Sequence, residues 1–510
     1  MKNPYEHDWL EDEVLVGRTS QKLALGVFLI FILVPALSLL WPSMRPSASS
    51  TGAPATLKDR LIELEAKAKT LPLIESWRRA DQARASGLLG SGNAKVFAGK
   101  DGWLYYRPDL EAVFGKGPFH DEPPSVAREQ YDRKWRQAVP VIADFAKQLA
   151  ERKIRLVFVP VPTKPMVCRE GLGLPHGAAA PPALAAVAHD LKSAGIDVVD
   201  LLPIIAALGN DTARYLRQDT HWTPGAMEAS AREVASRLST GSGLSPYRVE
   251  TVARESRGDL VDMLDFGDEA GEVFPPESVT LRRVLNGTSD PNSDVVLLGD
   301  SFVNLYEDPE LGFAAEGESS IGAGFASHLA LALGKPIHTI AINGGGASAV
   351  REAFAALPAD RLARIKTVVW VVSSRDVLLP EIPARRAGIE WRSVVFNEAK
   401  STDATPASAR DLVATLREKS PIVDPTQTPY TSAIYSTVFE AEDGTEHSVF
   451  FWAFRDRKLE PAAALEPGRR YRLRLVPLDQ DAAANRATRL DDLFRPDLTP
   501  VFAESFEAVD

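Results

Sequence analysis

The sequence predicts an α/β fold, a parallel sheet flanked by helices, with an apolar N-terminal segment before it and a small antiparallel β-domain after it. Between residues 94 and 385, short apolar runs alternate with segments whose apolar residues recur at helical spacing. This alternation is typical of a parallel sheet covered on both faces. After about residue 385 the pattern changes to a period of two, which is typical of antiparallel strands with one buried face.

The predicted elements of the α/β region follow one another as strand and helix. Predicted strands are 154–161, 197–201, 294–298, 337–342 and 367–372, and predicted helices are 132–151, 182–194, 225–238, 324–333 and 349–357. Ligands of such sheets bind beyond the carboxyl ends of the strands. Polar residues that follow a predicted strand are therefore the first candidates for a functional site.

The C-terminal region predicts strands at 430–440, 447–455 and 468–477. In the last of these, arginines alternate with Tyr471 and two leucines, which indicates a strand with one face in a core. Exposed aromatic side chains such as Trp452 and Tyr471 could stack on sugars. The favoured interpretation is that they fill a small β-core instead.

An apolar segment lies near the N-terminus. Residues 23–41 carry no charged side chain and are rich in Leu, Ile, Val and Phe. Their length approaches the roughly 20 residues that a helix needs to cross a bilayer. The residues before them include Glu11, Asp12 and Glu13, unlike the short basic start of a signal peptide. We therefore expect an uncleaved transmembrane anchor, with a cleaved signal peptide as the alternative.

These patterns divide the chain into parts of different character. The residues after the apolar segment are rich in Ser, Pro and Ala, as linkers are, and apolar residues at helical spacing then predict a short stalk helix. The expected parts are an N-terminal tail (1–22), a transmembrane anchor (23–41), a linker and stalk helix (42–93), the α/β domain (94–385), a linker (386–419) and the C-terminal β-domain (420–510).

The composition argues against several functional classes. The net charge of −11, from 58 basic and 69 acidic residues, does not suit nucleic-acid binding, which needs a basic surface. Cys168 is the single cysteine, so an internal disulfide or a cysteine-rich metal site cannot form. The histidines lack metal-ligand spacing, and the sequence contains no Gly-rich phosphate loop. We therefore expect no metal, no cofactor and no nucleic-acid partner.

The first motif with chemical content follows a predicted strand. Residues 295–302 are Val-Val-Leu-Leu-Gly-Asp-Ser-Phe, so the apolar strand leads directly into Gly-Asp-Ser. A tight turn there can expose the hydroxyl of Ser301 and direct its N–H toward a substrate carbonyl oxygen. The alternative is a turn or a helix N-cap, because Asp and Ser also favour that position.

The second motif comes directly before a predicted helix. Residues 219–226 are Asp-Thr-His-Trp-Thr-Pro-Gly-Ala. In extended chain, Asp219 and His221 point to the same side, so the carboxylate can fix the imidazole tautomer and stabilise the imidazolium. The alternative is a helix start, with Thr223 as the cap and Pro224 at the first helical position. That alternative does not account for Asp219 or His221.

Taken together, these motifs resemble the SGNH-hydrolase-like domain of the alginate acetylation proteins, the AlgJ/AlgX-like family. Asp-x-His-Trp is followed much later by Gly-Asp-Ser-Phe, as in that family. Further similar segments are 97–105 (Phe-Ala-Gly-Lys-Asp-Gly-Trp-Leu-Tyr), 159–164 (Val-Pro-Val-Pro-Thr-Lys), 258–264 (Gly-Asp-Leu-Val-Asp-Met-Leu) and 343–346 (Asn-Gly-Gly-Gly). The resemblance covers roughly residues 94–380 and rests on the motifs as a set.

The resemblance implies a catalytic triad in an SGNH-hydrolase-like α/β domain. Ser301 would be the nucleophile, His221 its base and Asp219 the residue that orients the histidine. The order Asp, His, Ser is acceptable because triads are recognised by role. Asn343 and nearby glycine N–H groups such as that of Gly345 are candidates for the oxyanion site, with a flexible turn as the alternative.

Three further residues are candidates for substrate contacts. Lys164 could contact an anionic sugar or cap its own loop. Trp222, next to the proposed base, could form a wall or a sugar platform, or simply pack the start of the helix. The resemblance also implies a binding role for Arg375, although the residues before it, Ser373 and Ser374, depart from the Glu found in related proteins.

The resemblance implies O-acetyl transfer to an exported polysaccharide through an acyl-serine intermediate. It also implies a multi-spanning membrane acyltransferase as the acetyl donor. With the expected anchor, the protein would be a single-pass protein of the inner membrane with its catalytic domain in the periplasm. The alternatives are a carbohydrate acetyl esterase of the same fold and a non-catalytic polysaccharide-binding component of an export complex.

Overall fold

The computed structural model of the chain describes most of the residues after 91. The described residues are 79–80, 92–115, 124–238, 246–266, 273–378 without 319, 391–396, and 409–509 without 426, 427, 429, 494, 496 and 497. Within these ranges no helix combines the length and apolar character needed to cross a membrane. The predicted anchor, 23–41, and the predicted stalk helix lie outside the described residues.

The first part of the described chain alternates helices and strands. Its elements are β1 (Val96–Ala98), β2 (Leu104–Tyr106), α1 (Arg107–Phe114), α2 (Pro124–Glu151), β3 (Arg155–Val161), α3 (Lys164–Val167), α4 (Pro182–Ser193), β4 (Asp197–Val198), α5 (Leu202–Ala206), α6 (Asp211–Arg214), α7 (Pro224–Leu238), β5 (Arg248–Ser256), α8 (Asp259–Leu264), β6 (Glu277–Leu285), β7 (Val295–Gly299), α9 (Ser301–Asn304), α10 (Phe325–Leu333), β8 (His338–Ala341), α11 (Ala349–Ala355), α12 (Ala359–Leu362), β9 (Thr367–Ser373) and α13 (Ser374–Leu378).

A five-stranded parallel sheet forms the centre of this part. Its strand order is β4-β3-β9-β7-β8, and every neighbouring pair in it is parallel. β7 and most of β9 are buried, because their runs of Val and Leu are covered on both faces, as expected of parallel sheets. The predicted α/β architecture is confirmed.

Aromatic side chains fill the core beside the central strands. Trp370 of β9 meets Phe158 of β3 edge to face at 5.2 Å between ring centroids, and Phe145 of α2 at 5.7 Å. The guanidinium of Arg351 lies 5.3 Å from the centroid of the Trp370 ring. Such aromatic contacts add to the stabilisation from area burial alone and fix α2 and α11 against the sheet.

A separate two-stranded antiparallel sheet, formed by β5 and β6, interrupts the alternation of parallel strands and helices. These strands pair along their whole length, from Arg248 opposite Leu285 to Ser256 opposite Glu277. No strand was expected there, since β5 is largely exposed on both faces and so lacks a marked apolar alternation. β6 packs against α7 and α10, which places Glu277 next to the segment before α7.

The C-terminal part consists almost entirely of strands. Its elements are β10 (Arg410–Lys419), β11 (Ala433–Ala441), β12 (Glu446–Arg455), β13 (Lys458–Leu459), β14 (Arg470–Pro477), α14 (Ala482–Arg486), β15 (Thr488–Leu490) and β16 (Val501–Val509). The expected antiparallel β-domain is present. Because β10 pairs with β11 and β14, the domain includes part of the predicted linker, 386–419, and that linker ends before Arg410.

The strands of this domain close into a barrel. The pairings run β10–β11, β11–β12, β12–β16, β16–β14 and β14–β10, so the last strand returns to the first. Only the β12–β16 contact within this ring is parallel. Tyr471 is buried in the barrel core, as the favoured interpretation held. Trp452 is only half-buried, because β12 turns it away from that core.

The barrel core predicts a large effect of a single truncation. Phe451 packs against Tyr435, Phe439 and Phe506 with centroid distances of 5.9 to 6.0 Å. We expect Phe451→Ala to lower the free energy of unfolding by about 3–5 kcal/mol, because the cavity adds to the lost burial. Leu459→Ala, at a residue with 62% exposure in the same domain, should change it by less than about 0.5 kcal/mol. Urea unfolding followed by circular dichroism measures both, and similar values for the two variants would contradict the packing described.

Candidate active site

Ser301 follows the carboxyl end of β7, an inner strand of the parallel sheet that lies between β9 and β8. Residue 299 must be glycine because Val303, one turn further on, packs directly against it: a Cβ at this position would lie 2.2 Å from Cγ2 of Val303. Oδ1 of Asp300 accepts the N–H of Phe302 at 2.9 Å and caps α9. Ser301 is thus both the start of a helical turn and a residue at the ligand-binding edge of the sheet, so the two alternatives for this motif coexist.

Asp219, His221 and Ser301 form one hydrogen-bonded chain. Oδ1 of Asp219 lies 2.6 Å from Nδ1 of His221, and Nε2 of His221 lies 2.8 Å from Oγ of Ser301. Since a carboxylate only accepts, Nδ1 of the neutral ring carries the proton, and Nε2 accepts the serine hydroxyl. All three side chains are buried. The predicted convergence of these residues is confirmed.

The segment that carries Asp219 and His221 is held from two sides. Oδ1 of Asp219 also accepts the N–H of His221 at 2.9 Å. The Glu277 carboxylate accepts the N–H groups of Arg217 and Gln218 at 2.9 and 2.7 Å. These bonds satisfy backbone donors that would otherwise be unpaired beside the helix start. The imidazole position is therefore set by the backbone as well as by its own contacts.

Lys164 belongs to this support and not to a sugar-binding surface. Its ammonium donates to the carbonyl oxygens of Leu104, Arg217 and Asp219 at 2.5, 2.7 and 3.1 Å. Its side chain is fully buried, and burial lowers the pKa of Lys164 to about 8. An ammonium with three carbonyl acceptors has no donor left for a ligand. The predicted contact with an anionic sugar is therefore wrong, and the alternative of a loop-holding role agrees with the structure.

A second carboxylate, that of Asp259, adjoins the Asp–His pair. Asp259 accepts the N–H and the hydroxyl of Thr220 at 2.7 and 2.5 Å, and its own N–H donates to Oδ2 of Asp219 at 3.1 Å. Its Oδ2 lies 3.8 Å from Nδ1 of His221. The sequence offered Asp259 only as part of the similar segment 258–264, because nothing in that segment shows which residue it faces.

Asp219, His221 and Asp259 are also close enough to be considered as metal ligands. Their potential ligand atoms lie within 4.8 Å of one another. Each of these groups is already engaged, however: the histidine Nδ1 bonds Asp219, and Asp259 binds Thr220 through both oxygens. A cation there would have to break these bonds, so the arrangement fits proton transfer better than metal coordination.

A pocket of about 430 Å³ opens onto Ser301 and His221. Both the α/β domain and the β-barrel line it. The α/β domain contributes Asp259, Asp308, Asn343, Gly344 and Arg375, and the barrel and its connections contribute Thr428, Tyr430, Trp452, Thr488 and Arg489. The predicted site did not include Tyr430 or Thr488, since no local pattern connects residues so distant in sequence.

The two oxyanion candidates, Asn343 and Gly345, differ in the hydrogen bonds that their N–H groups make. Asn343 lines the pocket, with its Nδ2 donating to Asp308 at 3.1 Å and its Oδ1 accepting from Asn304 at 2.9 Å. The N–H of Gly345 instead donates to the carbonyl of Ile342 at 2.8 Å and closes a turn. Gly345 is therefore not an oxyanion donor in this structure, whereas Asn343 stays a candidate.

Residues 96–374, more than half of the chain, match the family described as "SGNH hydrolase-like domain, acetyltransferase AlgX". The chain belongs to this family. The probable alginate O-acetylase AlgJ of Pseudomonas aeruginosa is 24% identical over 239 residues, 44% of this chain and 55% of that protein. The AlgJ protein of Pseudomonas syringae pv. tomato is 26% identical over 238 residues, 46% and 55% of the two chains. The chain thus spans about half the length of the curated relatives it matches.

Solved structures that are similar to this chain include an AlgJ domain and an AlgX protein. The O-acetyltransferase domain of Pseudomonas putida AlgJ is 22% identical, with a TM-score of 0.42 over 57% of this chain and 94% of that one. Pseudomonas aeruginosa AlgX is 17% identical, with a TM-score of 0.38 over 72% of this chain and 84% of that one.

Trp222 and Arg375 are the two remaining predicted site residues of this AlgX-family domain, and both pack against or pair with other side chains. Trp222 is fully buried, stacked on Phe325 with 5.7 Å between ring centroids and edge to face with Phe302 at 5.3 Å. It packs the start of α7 and is not among the residues that line the pocket, so the predicted sugar platform is wrong. The reason is that Phe302 lies between the indole and the histidine ring, which it meets at 4.7 Å.

Arg375 does line the pocket, but its charge is paired. Its guanidinium binds Asp109 at 2.6 Å and Asp376 at 3.3 Å, and it lies 5.1 Å from the centroid of the Tyr106 ring. Two carboxylates compensate one half-buried cation, as is required of charges that lose part of their contact with water. Arg375 therefore braces the pocket wall, and its contact with a substrate stays a prediction.

The electrostatics of the site favour a basic His221. Burial acts to lower the pKa of His221, but the Asp219 carboxylate, followed by those of Asp259 and Asp300, raises it above its ordinary value. The same contact lowers the pKa of Asp219 despite burial. Burial and the charge of Asp219 raise the pKa of Asp259 to about 7. Asp219 thus stays ionised while His221 is available to take a proton.

These shifts predict a change in the pH profile of an Asp259 variant. Activity that needs neutral His221 rises with pH through the histidine pKa. Because the Asp259 charge raises that pKa, Asp259→Asn should lower it and move the acidic limb of kcat/KM to lower pH. Asp262→Asn, the same charge change three residues further along α8, is the matched control. Ester cleavage measured between pH 5 and 9 tests this, and a limb that stays in place, or moves equally in both variants, would refute it.

Proposed function

We propose that the protein is an O-acetyltransferase that acetylates an exported polysaccharide through an acetyl-serine intermediate on Ser301. The observation that carries the proposal is the buried chain from Asp219 through His221 to Ser301 at the bottom of a two-sided pocket. Membership of a family described as acetyltransferase AlgX supports the reaction type. Relatives named as probable alginate O-acetylases support a polysaccharide acceptor.

In the first half-reaction, Ser301 takes the acetyl group from a donor. Oγ attacks the acetyl carbonyl carbon while Nε2 of His221 accepts the serine proton. The tetrahedral intermediate collapses when the donor's leaving group departs with that proton, leaving acetyl-serine and neutral histidine. Asp219 stabilises the transient imidazolium through Nδ1 and does not itself become protonated.

The second half-reaction reverses the direction of transfer. A sugar hydroxyl attacks the acetyl-serine carbonyl and gives its proton to Nε2 of His221, and Oγ of Ser301 departs with that proton. Water can act in place of the sugar, so transfer requires that a bound hydroxyl outcompete it. Holding the acceptor in the pocket gives it an effective concentration far above that of a free sugar, and both walls of the pocket supply surface for this.

The negative oxygen that forms in both half-reactions needs donors. The N–H of Ser301 is at the first position of a helical turn and so has no acceptor within that turn. Nδ2 of Asn343 carries a second N–H beyond the one bound to Asp308. We assign the oxyanion site to these two groups, each of which is worth about 10²- to 10³-fold in rate where such donors have been removed.

The location and the donor complete the proposal. Residues 23–41 would anchor the chain in the inner membrane as a single span, with the described domains in the periplasm, where an exported polysaccharide passes. The acetyl group would come from a multi-spanning membrane acyltransferase, as the resemblance to the alginate acetylation proteins implies. The uncharged run of residues 23–41 supports the anchor.

The reaction predicts the behaviour of Ser301→Ala. With an activated acetyl ester and the correct oligosaccharide, the wild-type protein should form acetylated sugar, and Ser301→Ala should lower that rate by about 10⁶-fold. Ser327→Ala, at a buried serine of α10, is the matched control and should retain the activity. Mass spectrometry of the sugar measures the product. Acetate as the only product with every acceptor, together with over-acetylated polymer in cells lacking the protein, would establish an esterase instead.

The proposed location predicts the result of a reporter fusion. A reporter that is active only in the periplasm should be active when it is joined after Asp510, because the single span places everything after Trp41 outside the cytoplasm. A reporter active only in the cytoplasm should then be silent at the same junction. The reverse pair of results would overturn the proposed topology.

A further inference from the structure

The β-barrel contributes more than a wall to the pocket: it holds the loop that carries the candidate oxyanion donor. This loop, residues 342–346, follows β8 and is called the Asn343 loop below. The N–H of Asn343 donates to the carbonyl of Arg486 at 2.9 Å, and the carbonyl of Asn343 accepts the hydroxyl of Thr488 at 2.8 Å. Both backbone polar groups of Asn343 are thus bound by residues of the barrel domain.

The side chain of Asn343 is held by two residues near Ser301, and one of these also contacts the barrel domain. Its Oδ1 is fixed by Asn304 at 2.9 Å and its Nδ2 by Asp308 at 3.1 Å. Asp308 in turn lies 3.4 Å from the guanidinium of Arg486. The orientation that leaves the second N–H of Nδ2 for the pocket is therefore stabilised from α9, next to Ser301, and from α14 of the barrel domain.

The C-terminal β-domain makes a third contact with the Asn343 loop, at the next residue, Gly344. Gly344 has φ +71°, and a Cβ there would lie 2.6 Å from the ring of Tyr430. The left-handed backbone and the close ring both require glycine at this position. Tyr430 and Gly344 both line the pocket, so the connection before β11 contacts the Asn343 loop at the pocket wall.

We propose that the C-terminal β-domain is a positioning element of the catalytic centre, with Thr488 as its principal side-chain contact to the Asn343 loop. The inference rests on the proposed function. Thr488 does not touch the reacting atoms, and it acts through Asn343, whose N–H must meet the developing oxyanion at hydrogen-bond distance. A displacement of about 1 Å in such a group is enough to cost on the order of 10²-fold in rate. Cleavage of even a small acetyl ester therefore needs the barrel, although no sugar is bound.

The test compares two threonines of the same domain in the full chain. Thr488→Val removes the hydroxyl that binds the Asn343 carbonyl and keeps the shape of the side chain, and Thr488→Ser restores the hydroxyl. Thr437→Val is the matched control, because its hydroxyl also donates to a backbone carbonyl, that of Val449 at 2.6 Å, in the barrel. The probe is p-nitrophenyl acetate, with the number of active sites counted from the burst of p-nitrophenol.

Thr488→Val should lower kcat and kcat/KM equally, by about 10-fold or more per active site, since an interaction realised in the transition state is lost. Thr488→Ser should recover most of the rate. Thr437→Val should lower the thermal midpoint but leave kcat per active site unchanged. Equal kcat for Thr488→Val and Thr437→Val would overturn the inference, whether both are high or both are low.

Ser301→Ala, measured alongside, separates this inference from the proposed function. If Ser301→Ala is inactive while Thr488→Val keeps the wild-type kcat, the proposed function stands and the positioning role falls. If Ser301→Ala still cleaves the ester with a burst, the acetyl-serine mechanism falls, and the positioning role falls with it.

Discussion

The buried hydrogen bond between the Asp219 carboxylate and Nδ1 of His221, 2.6 Å long, is the contact on which the rest of the site depends. It selects the tautomer that leaves Nε2 free to accept from Ser301, and it raises the pKa of the imidazole against the effect of burial. The bond also explains why so many neighbouring groups are engaged. A buried carboxylate is tolerated only where donors surround it, and Asp219 receives N–H groups from both His221 and Asp259.

Side chains from other parts of the chain hold the segment that carries the buried Asp219–His221 pair. Lys164 links the carbonyls of β2 and of the Asp219 segment through one ammonium, and Glu277 binds two N–H groups of that segment from β6. Removing the Lys164 side chain would leave the buried carbonyl groups of Leu104 and Asp219 without this donor, and each unpaired buried group is costly. The support of the Asp219–His221 pair is therefore spread over residues distant in sequence: Lys164 ends the family-like segment 159–164, whereas Glu277 lies in no segment that the sequence singled out.

Because the supporting residues are distant from one another in sequence, the sequence alone predicts only part of the site. Strands β3, β7 and β9 were predicted because apolar runs are local signals. Ser301, His221 and Asp219 were predicted from the two short motifs that contain them and from the resemblance of the motifs, as a set, to a known family. Strands β5 and β10 were not predicted, because most of their residues are exposed or only partly buried and their apolar alternation is weak. For Lys164 and Trp222 the sequence left a substrate contact and a supporting role both open, because a charge or a ring near a motif fits either role. Burial, which only the fold determines, gives both residues supporting roles.

The way the barrel closes has a consequence for the order in which the protein is made. Strand β16 comes after every other strand in the chain and pairs with both β12 and β14. Ribosomal synthesis proceeds from the N-terminus, and domains fold as they emerge, so the α/β sheet with its serine, histidine and aspartate is complete before residues 501–509 exist. The ring cannot close until they do. A nascent chain thus carries Ser301, His221 and Asp219 for some time before the barrel around Thr488 is closed, so the contacts between that barrel and the Asn343 loop form after the α/β sheet.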